Sequence, residues 1–391
     1  MKQSTIERTL NQVDWNFSDY SSSQFPADIN SLHWYPASFV PQIPAILIQA
    51  LSDTGDLVLD PFAGSGGTLI EASRLGRRFI GLDQNPYAVN IANAKLMALS
   101  NTNSNWYNNE ISFIVKIKPL QYIKRYCKDE GIDGEVLKWF EEGTLSELLA
   151  LRRYVVHHKG SPGNLIRQVA LSAILNRCCS QRDHYTYITD KCYPRSLVYR
   201  PALKMYVDQL NLMSRAVTES QRQYRCIQDR EWDPSGDGVV QCHDARSITW
   251  VGDKSIDLVV TSPPYLGVND YVRSMLLTSL LFKEDGTEEA MEAEIGARRK
   301  RHRRSAYDEY IIDMGKAFKE ISRVLKPRGY LAIVLGQGKG KVNKGNVADR
   351  LLENLTDLHR FSIIFESVRR IKFRRIQVPG IGTEKIIVLQ R

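Results

Sequence analysis

The residues of this sequence best suited to chemistry on a ligand lie in the stretch Thr261-Ser262-Pro263-Pro264-Tyr265. It directly follows the mostly apolar, β-branched run 256–260, which predicts a buried strand. Proline ends such a strand because it has no backbone N–H to donate, and ligands of open α/β sheets bind just beyond strand ends of this kind. Ser262 supplies a hydroxyl group there, and Tyr265 supplies a flat ring. A rigid strand-to-helix turn without any chemistry explains this stretch equally well when it is taken alone.

A second strand-to-helix turn occurs much earlier, where the short strand 56–60 is followed by Pro61-Phe62-Ala63-Gly64-Ser65-Gly66-Gly67-Thr68. Glycines allow the backbone to approach a ligand closely, and the helix that follows offers free amide donors. A further strand ends at Asp83, which lies 83 − 64 = 19 positions after the first loop glycine. That spacing is close to the ~20 expected for an acid that binds ribose hydroxyls. The series predicts a nucleoside-containing cofactor.

Composition limits the classes of protein to consider. The chain has 391 residues, of which 43% are hydrophobic and 25% are charged, so it can bury one large core or two smaller ones. Its net charge of +9 favours a polyanionic partner such as nucleic acid, although many basic enzymes bind none. No stretch approaches ~18 consecutive apolar residues, which argues against a membrane span.

The six cysteines include no Cys-x-x-Cys pair, which argues against a zinc module or a disulfide scaffold. No other cluster of metal ligands is evident, so no metal is expected. A reducing compartment follows, and we expect a cytoplasmic protein that is nucleoid-associated if prokaryotic.

The pattern of strands and helices predicts three parts. Residues 1–30 are polar and predict a loosely held arm. Residues 31–99 and 236–391 predict an α/β domain, a sheet with helices on both faces that ends in an antiparallel hairpin of strands 361–374 and 384–390. Residues 100–235 predict a mostly helical insertion.

Two basic segments are candidates for contact with nucleic acid. Each could instead be a solvated surface without a ligand. The candidate residues are Arg182, His184, Tyr185 and Tyr187 in the first segment, and Arg298, Arg299, Arg301, Arg303 and Arg304 in the second.

Taken together, the two turns resemble the S-adenosylmethionine-dependent, amino-methylating DNA methyltransferases. Residues 60–66 look like that family's cofactor loop, and residues 261–265 look like its catalytic motif. The Ser-Pro-Pro-Tyr form is similar to the cytosine-N4 branch, whereas adenine-N6 enzymes more often carry Asp or Asn in the serine position. The likeness covers residues 31–99 and 239–390 and implies a Rossmann-like methyltransferase sheet.

The resemblance also implies roles for individual residues. The segment His33 to Phe39 is similar to the family segment that helps hold the methionine end of the cofactor, with Asp83 expected at the ribose and Asp244 at the adenine amino group. The full set of expected cofactor residues is His33, Ser38, Asp60, Phe62, Ala63, Gly64, Ser65, Gly66, Asp83 and Asp244.

The resemblance implies double-stranded DNA as a partner, and a cognate restriction endonuclease is a further candidate partner. The sequence does not specify the oligomeric state. The family often places its recognition region after the third strand, whereas the insertion 100–235 falls between the second and third strands here. Residues 100–235 remain the candidate target-recognition region, with some of that role expected for residues 283–306.

The catalytic roles follow from the weak nucleophilicity of an exocyclic amine, whose lone pair is delocalised into the base. Acceptors for both amine hydrogens favour attack on the methyl group, and we expect them to be Ser262 Oγ and the Pro263 carbonyl, in a turn fixed by Pro264. Tyr265 would stack on a base flipped out of the duplex. Methylation at carbon 5 of cytosine is disfavoured because it needs a thiolate, usually from a Pro-Cys pair, which this sequence lacks.

The leading hypothesis is a site-specific cytosine-N4 DNA methyltransferase. The alternatives are adenine-N6 methylation of DNA, methylation of an amino group in RNA, and a non-catalytic relative that binds nucleic acid.

Overall fold

A computed structural model describes residues 3–17, 28–36, 40–100, 105–181, 193–228, 234–282, 286–338, 346–370 and 381–391. Its strands are β1 Leu57–Asp60, β2 Arg78–Asp83, β3 Gly238–Cys242, β4 Ile256–Thr261, β5 Leu325–Gly338, β6 Ser362–Arg370 and β7 Ile381–Gln390. Its α-helices up to β3 are α1 Gln3–Asn11, α2 Gln42–Leu51, α3 Gly67–Arg74, α4 Pro86–Ser100, α5 Trp106–Ile114, α6 Ile123–Asp129, α7 Glu142–His157, α8 Asn164–Cys178 and α9 Ala202–Gln228. The later ones are α10 Leu276–Phe282, α11 Thr287–Ala293, α12 Ala306–Val324 and α13 Val347–Glu353.

The seven strands form one sheet in the order β3-β2-β1-β4-β5-β7-β6. The first five strands in that order are parallel, and β7 runs antiparallel to both of its neighbours. The expected α/β sheet with a terminal antiparallel hairpin is therefore confirmed. Because β1 to β4 are parallel, their carboxyl ends meet at one edge, where the turns after Asp60, Asp83 and Thr261 come together.

The hairpin strands are close to those predicted, with β7 inserted between β5 and β6. Residues 371–380 lie outside the described part of the chain. In the register of β5 and β7, Gly336 pairs with Glu384. This pairing brings a side chain of the last strand to the same edge as residues 261–265, the candidate catalytic turn.

Apolar residues cover both faces of the sheet. Along β4, Leu258 and Val260 belong to one buried cluster, whereas Ile256 and Val259 belong to another. The first cluster also contains residues of α7, α8 and α9, and the second contains residues of α12. The helices between α4 and β3 thus share their core with one face of the sheet.

The start of the chain differs from the loose arm that its polar composition predicts. Ile6 and Leu10 of α1 are buried, as is Trp15, whose ring lies 6.0 Å from that of Phe365 in β6. The apolar spacing of i and i+4 gives the helix one buried face, which composition alone does not reveal. Residues 3–17 are therefore packed against the domain.

Within the described residues, no helix combines the length and the apolar character needed to cross a membrane.

Candidate active site

The two turns line one cavity of about 420 Å³ at the carboxyl edge of the sheet. Gly64 of the first turn and Tyr265 of the second are both in its wall, although they lie far apart in the sequence. The other expected site residues in the wall are Asp60, Phe62, Ala63, Ser65, Asp83, Ser262, Pro263 and Pro264. The sheet topology thus assembles a single site from both motifs.

A direct hydrogen bond joins the two turns. Thr261 Oγ1 at the end of β4 donates to Asp60 Oδ1 at the end of β1, at 2.6 Å. The same oxygen accepts from the Phe62 backbone N–H at 3.1 Å. Burial raises the pKa of Asp60 to about 6. Asp60 therefore holds the glycine loop and the Ser-Pro-Pro-Tyr turn in one fixed arrangement.

The first loop glycine is held by the acid at the end of β2. Gly64 N–H donates to Asp83 Oδ2 at 2.8 Å, and Asn85 N–H donates to Asp83 Oδ1 at the same distance. Gly64 has a φ of +51°, and a Cβ there would lie 3.2 Å from the Tyr35 ring. Burial raises the pKa of Asp83 to about 6. The conformation and the close approach both require glycine at this position.

Gly66 has a packing role. Its φ is +85°, and a Cβ there would lie only 2.8 Å from the Cβ of Ala92 in α4. Gly66 is not in the cavity wall, whereas Gly67 is. Gly66 therefore packs against α4 and does not line the cavity in which its contact with the cofactor is expected.

The catalytic turn has its hydroxyl groups in a defined network. Ser262 Oγ lies 3.2 Å from the Tyr265 hydroxyl and 3.3 Å from the Val334 carbonyl oxygen. The Tyr265 hydroxyl donates to Glu384 Oε1 at 2.9 Å. Burial is the main reason that the pKa of Tyr265 lies well above its usual value, so its hydroxyl stays protonated. The Tyr265 ring remains in the cavity wall.

His33, an expected cofactor residue in the first aromatic segment, is not in the cavity wall. His33 is buried, with Nδ1 hydrogen-bonded to the Trp34 carbonyl and Nε2 3.0 Å from Ser172 Oγ. Burial lowers its pKa to about 3, so it is a neutral histidine of the protein interior. Tyr35 and Pro36 of the same segment line the cavity instead. Ser38 lies outside the described residues.

Asp244 is also directed elsewhere. Both of its carboxylate oxygens accept from Arg246, with distances of 2.7 to 3.0 Å, and Arg246 also pairs with Asp313 at 2.9 Å. The neighbouring residues His243 and Ala245 are in the cavity wall, and Asp244 is not among the wall residues. The expected contact with the adenine amino group therefore has no support in this arrangement.

Two buried charged residues of the wall were not expected from the sequence. The carboxyl group of Glu294 accepts a hydrogen bond from the Tyr271 backbone, and burial raises its pKa to about 8. Lys95 Nζ donates to Ser65 O at 3.0 Å and to Ser65 Oγ at 3.2 Å, and burial lowers its pKa to about 8. Glu294 ends an acidic run whose composition indicates a solvated helix, and Lys95 lies within an ordinary helical pattern. No sequence signal distinguishes either of them.

The second basic segment is fastened to the catalytic turn. Gly267 N–H donates to Gly296 O at 2.7 Å, and a Cβ at Gly267 would lie 3.3 Å from that of Arg301. Arg301, Arg303 and Arg304 are exposed, and Arg298 is half-buried.

Arg299 differs from these four. Its guanidinium donates to the Met291 carbonyl and lies 3.6 Å from both Glu292 and Glu294. This side chain is committed to the protein, which argues against the expected contact with nucleic acid. Arg182, His184, Tyr185 and Tyr187 lie outside the described residues.

The cavity fits the cofactor that the resemblance implies. Its volume is in the range of pockets for ligands of this size. S-adenosylmethionine carries a sulfonium and an ammonium group, and the wall contributes the carboxyl groups of Asp60, Asp83 and Glu294. Lys95 supplies a cation for a carboxylate. These donors and acceptors match a ligand with both signs of charge and a net positive charge.

Comparison with known proteins gives a family match, related sequences and similar solved structures. A family model described as DNA methylase matches residues 2–94, a span that includes α1. The Type II methyltransferase M.MjaII of Methanocaldococcus jannaschii is 22% identical over 84% of this chain and 76% of its own length. The Type II methyltransferases M2.DpnII of Streptococcus pneumoniae and M1.MboII of Moraxella bovis are 49% and 55% identical, over only 15% and 14% of this chain. The latter two matches cover 21% and 20% of those proteins.

Among solved structures, a SAM-dependent methyltransferase from Methanosarcina mazei aligns over 92% of this chain and 98% of its own. The identity is 12% and the TM-score is 0.35, which is too loose a likeness to support an argument about function.

Proposed function

Because the chain belongs to the S-adenosylmethionine-dependent, amino-methylating DNA methyltransferases, we propose that it methylates the exocyclic N4 amine of cytosine in double-stranded DNA, at specific sites. One observation carries the proposal: the Ser-Pro-Pro-Tyr turn and the glycine loop line the same cavity. A methyl donor on the loop and a base against the turn would then face each other.

S-adenosylmethionine, when bound, supplies an electrophilic methyl group on sulfur. In the proposal, the loop from Phe62 to Ser65 holds its methionine part, and Asp83 accepts from its ribose hydroxyls. Asp83 already accepts from two backbone N–H groups, and each carboxylate oxygen has a further lone pair. Burial of these groups away from water favours a fixed cofactor position.

The chain's own contribution to the chemistry is alignment of the amine. Ser262 Oγ and the Pro263 carbonyl accept the two amine hydrogens, which draws the nitrogen toward tetrahedral geometry and frees its lone pair. Neither group needs to act as a strong base, since the gain comes from a polar site set in advance. The Tyr265 ring stacks on the extruded base, which is worth ~1–3 kcal/mol and offsets the cost of base flipping.

The DNA contacts are assigned from exposure. Arg301, Arg303 and Arg304 are exposed, and Arg301 lies beside Gly267, shortly after the Ser-Pro-Pro-Tyr turn. Phosphates flanking a flipped base would lie there. We assign target recognition to residues 100–235 and 283–306 jointly. We further propose that a cognate restriction endonuclease accompanies the protein and that the protein is associated with the nucleoid.

The test is to incubate the purified protein with methyl-deuterated S-adenosylmethionine and either plasmid DNA or RNA, then analyse the nucleosides by mass spectrometry. We expect labelled N4-methyldeoxycytidine. Labelled N6-methyldeoxyadenosine alone would replace cytosine by adenine as the target, and label in RNA alone would reject DNA as the substrate. Cofactor binding without any transfer would identify a non-catalytic relative.

A further inference from the structure

A chain of polar groups leads from the catalytic turn into the terminal hairpin. Ser262 Oγ lies 3.2 Å from the Tyr265 hydroxyl, which lies 2.9 Å from Glu384 Oε1 on β7. Glu384 Oε2 lies 3.1 Å from Arg369 Nε on β6. The side chains of Arg369 and Glu384 are only 11% and 15% exposed, so solvent screens their pairing weakly. Neither of these two residues belongs to the glycine loop or the Ser-Pro-Pro-Tyr turn.

The carboxylate of Glu384 fixes the direction of the two hydrogen bonds that link it through Tyr265 to Ser262. A carboxylate only accepts, so Tyr265 must donate to Glu384, and Arg369 faces the same carboxylate as an ion pair. The tyrosine hydroxyl has one hydrogen, which is used on Glu384. Toward Ser262 it can therefore only accept, and Ser262 must be the donor.

The consequence concerns the serine oxygen. Its hydrogen points to Tyr265, or to the Val334 carbonyl 3.3 Å away, which also only accepts. In both cases the hydrogen is turned into the protein, and the lone pairs of Ser262 Oγ are left for the cavity. An oxygen in that state can accept an amine N–H, whereas a serine whose hydrogen pointed into the cavity would oppose it.

We propose that Glu384, held by Arg369, is a positioning residue that orients the hydroxyl groups of Tyr265 and Ser262 so that Ser262 presents an acceptor to the target amine. This inference rests on the proposed function, but it holds for an amine of cytosine or of adenine. It also gives the Tyr265 hydroxyl a role separate from stacking by its ring.

The decisive variant is Glu384→Gln, which keeps the shape but adds a donor. The positive charge of Arg369 attracts the glutamine oxygen and repels the NH₂ group, so the oxygen turns to Arg369 and the NH₂ faces Tyr265. The tyrosine hydroxyl then accepts from glutamine and donates to Ser262, which reverses the chain and occupies a lone pair that the amine needs. We expect kcat to fall by about tenfold or more, with cofactor affinity and the KM for DNA within about twofold of wild type, because neither ligand is contacted.

The matched control is Glu366→Gln on β6. Glu366 Oε1 lies 2.6 Å from Lys385 Nζ on the exposed part of the same hairpin. Its replacement by glutamine removes the same charge without touching the linked hydroxyl groups of Tyr265 and Ser262. We expect its kcat to equal that of wild type. A thermal melt of each variant checks folding.

A second substitution separates orientation from a purely structural role. Tyr265→Phe keeps the ring but removes the hydroxyl, so Ser262 can still donate to Val334; we expect a loss of only about threefold, the size of one modest hydrogen bond. Added to Glu384→Gln, it removes the misdirected donor, so the double variant should be faster than Glu384→Gln and equal to Tyr265→Phe.

The outcomes distinguish the two proposals. Provided that wild type methylates DNA, three results reject the positioning role. They are an unchanged kcat in Glu384→Gln, a loss of cofactor affinity as large as its loss of kcat, or a further fall in kcat when Tyr265→Phe is added to it. If Glu384→Gln does not fold, an unchanged kcat in Tyr265→Phe rejects the positioning role. Absence of methyl transfer by wild type rejects the proposed function instead.

Discussion

At the residue scale, Ser262 is the one side chain of the catalytic turn whose oxygen can contact the target amine and whose own hydrogen has acceptors inside the protein. Ser262→Ala removes that acceptor without disturbing the prolines beside it. We expect methyl transfer to fall by about tenfold or more, with cofactor affinity retained, since an interaction of the reacting group is lost.

The control for this variant is Ser255→Ala, at the opposite end of the same strand. Ser255 Oγ bonds the Gly252 carbonyl and lies away from the cavity, so its removal should leave turnover unchanged. Rates are measured by transfer of labelled methyl groups to DNA at saturating cofactor. Full activity of Ser262→Ala would contradict the role given to its hydroxyl.

Single residues also show how far sequence could go. The sequence correctly places residues 60–65 and the Ser-Pro-Pro-Tyr turn in the cavity wall, because their position follows from the local strand-turn-helix pattern. It does not place His33 and Asp244 correctly, because their direction depends on Ser172 and Arg246. Glu294 was missed for the related reason that burial of a carboxyl group is a property of the folded protein.

At the element scale, α3 and α4 approach so closely at Gly66 that no Cβ fits between them. Gly66→Ala should therefore lower the Tm by several degrees, through a strained backbone at about 1–2 kcal/mol and overpacking at about 1–3 kcal/mol. Ala92→Gly removes the opposing Cβ, so the double variant should regain the overpacking part while keeping the backbone strain.

Thermal melts of the two single variants and the double variant measure this coupling. Ala92→Gly alone should cost only about 1 kcal/mol, as expected for glycine within a helix. Additive losses in the double variant would mean that the two positions do not press on each other.

The elements themselves were largely predictable, apart from α1. Strands β1, β2 and β4 precede motifs that require a strand end, and the last two strands alternate with charged residues typical of an antiparallel hairpin. The first helix was overlooked because Ile6 and Leu10 are too few to register as an amphipathic pattern. Their partners, in α2 and β6, are brought near only by the complete sheet.

At the scale of the whole molecule, the net charge is +9. The part of it expected to contact DNA is the second basic segment, which includes Arg301, Arg303 and Arg304. Replacing Arg301, Arg303 and Arg304 with glutamine should weaken DNA binding and lower the slope of log affinity against log salt by about one per arginine that contacts phosphate. Cofactor affinity should not change.

The control triple variant replaces Arg78, Lys254 and Arg328 with glutamine. These residues are exposed at the amino ends of the strands, at the opposite edge from the cavity. The two triple variants have the same net charge, so a difference in salt slope, measured by fluorescence anisotropy on a labelled duplex, reports contact rather than bulk charge. Equal slopes would show that the second basic segment does not contact the DNA phosphates.

The same cavity concentrates carboxyl groups whose pKa values are raised by burial, to about 6 for Asp60 and Asp83 and to about 8 for Glu294. A raised folded-state pKa stabilises the protein below the unfolded value, and this contribution is lost as pH rises through the folded value. The cofactor-free protein should therefore resist denaturant better at pH 5.5 than at pH 8.5.

Binding of S-adenosylmethionine should then release protons near pH 7, because its net positive charge favours the ionised carboxylates and lowers their pKa values. The demethylated product lacks the sulfonium charge, so its binding should release fewer protons. Calorimetric titration at pH 7 in buffers of different ionisation enthalpy measures the number directly, since the observed heat changes with the buffer in proportion to the protons released. Glu294→Gln, which removes the group with the highest of these pKa values, should reduce the release at pH 7 the most. Heats that are independent of buffer for both ligands would mean that the carboxyl groups of the cavity do not face the cofactor's charge.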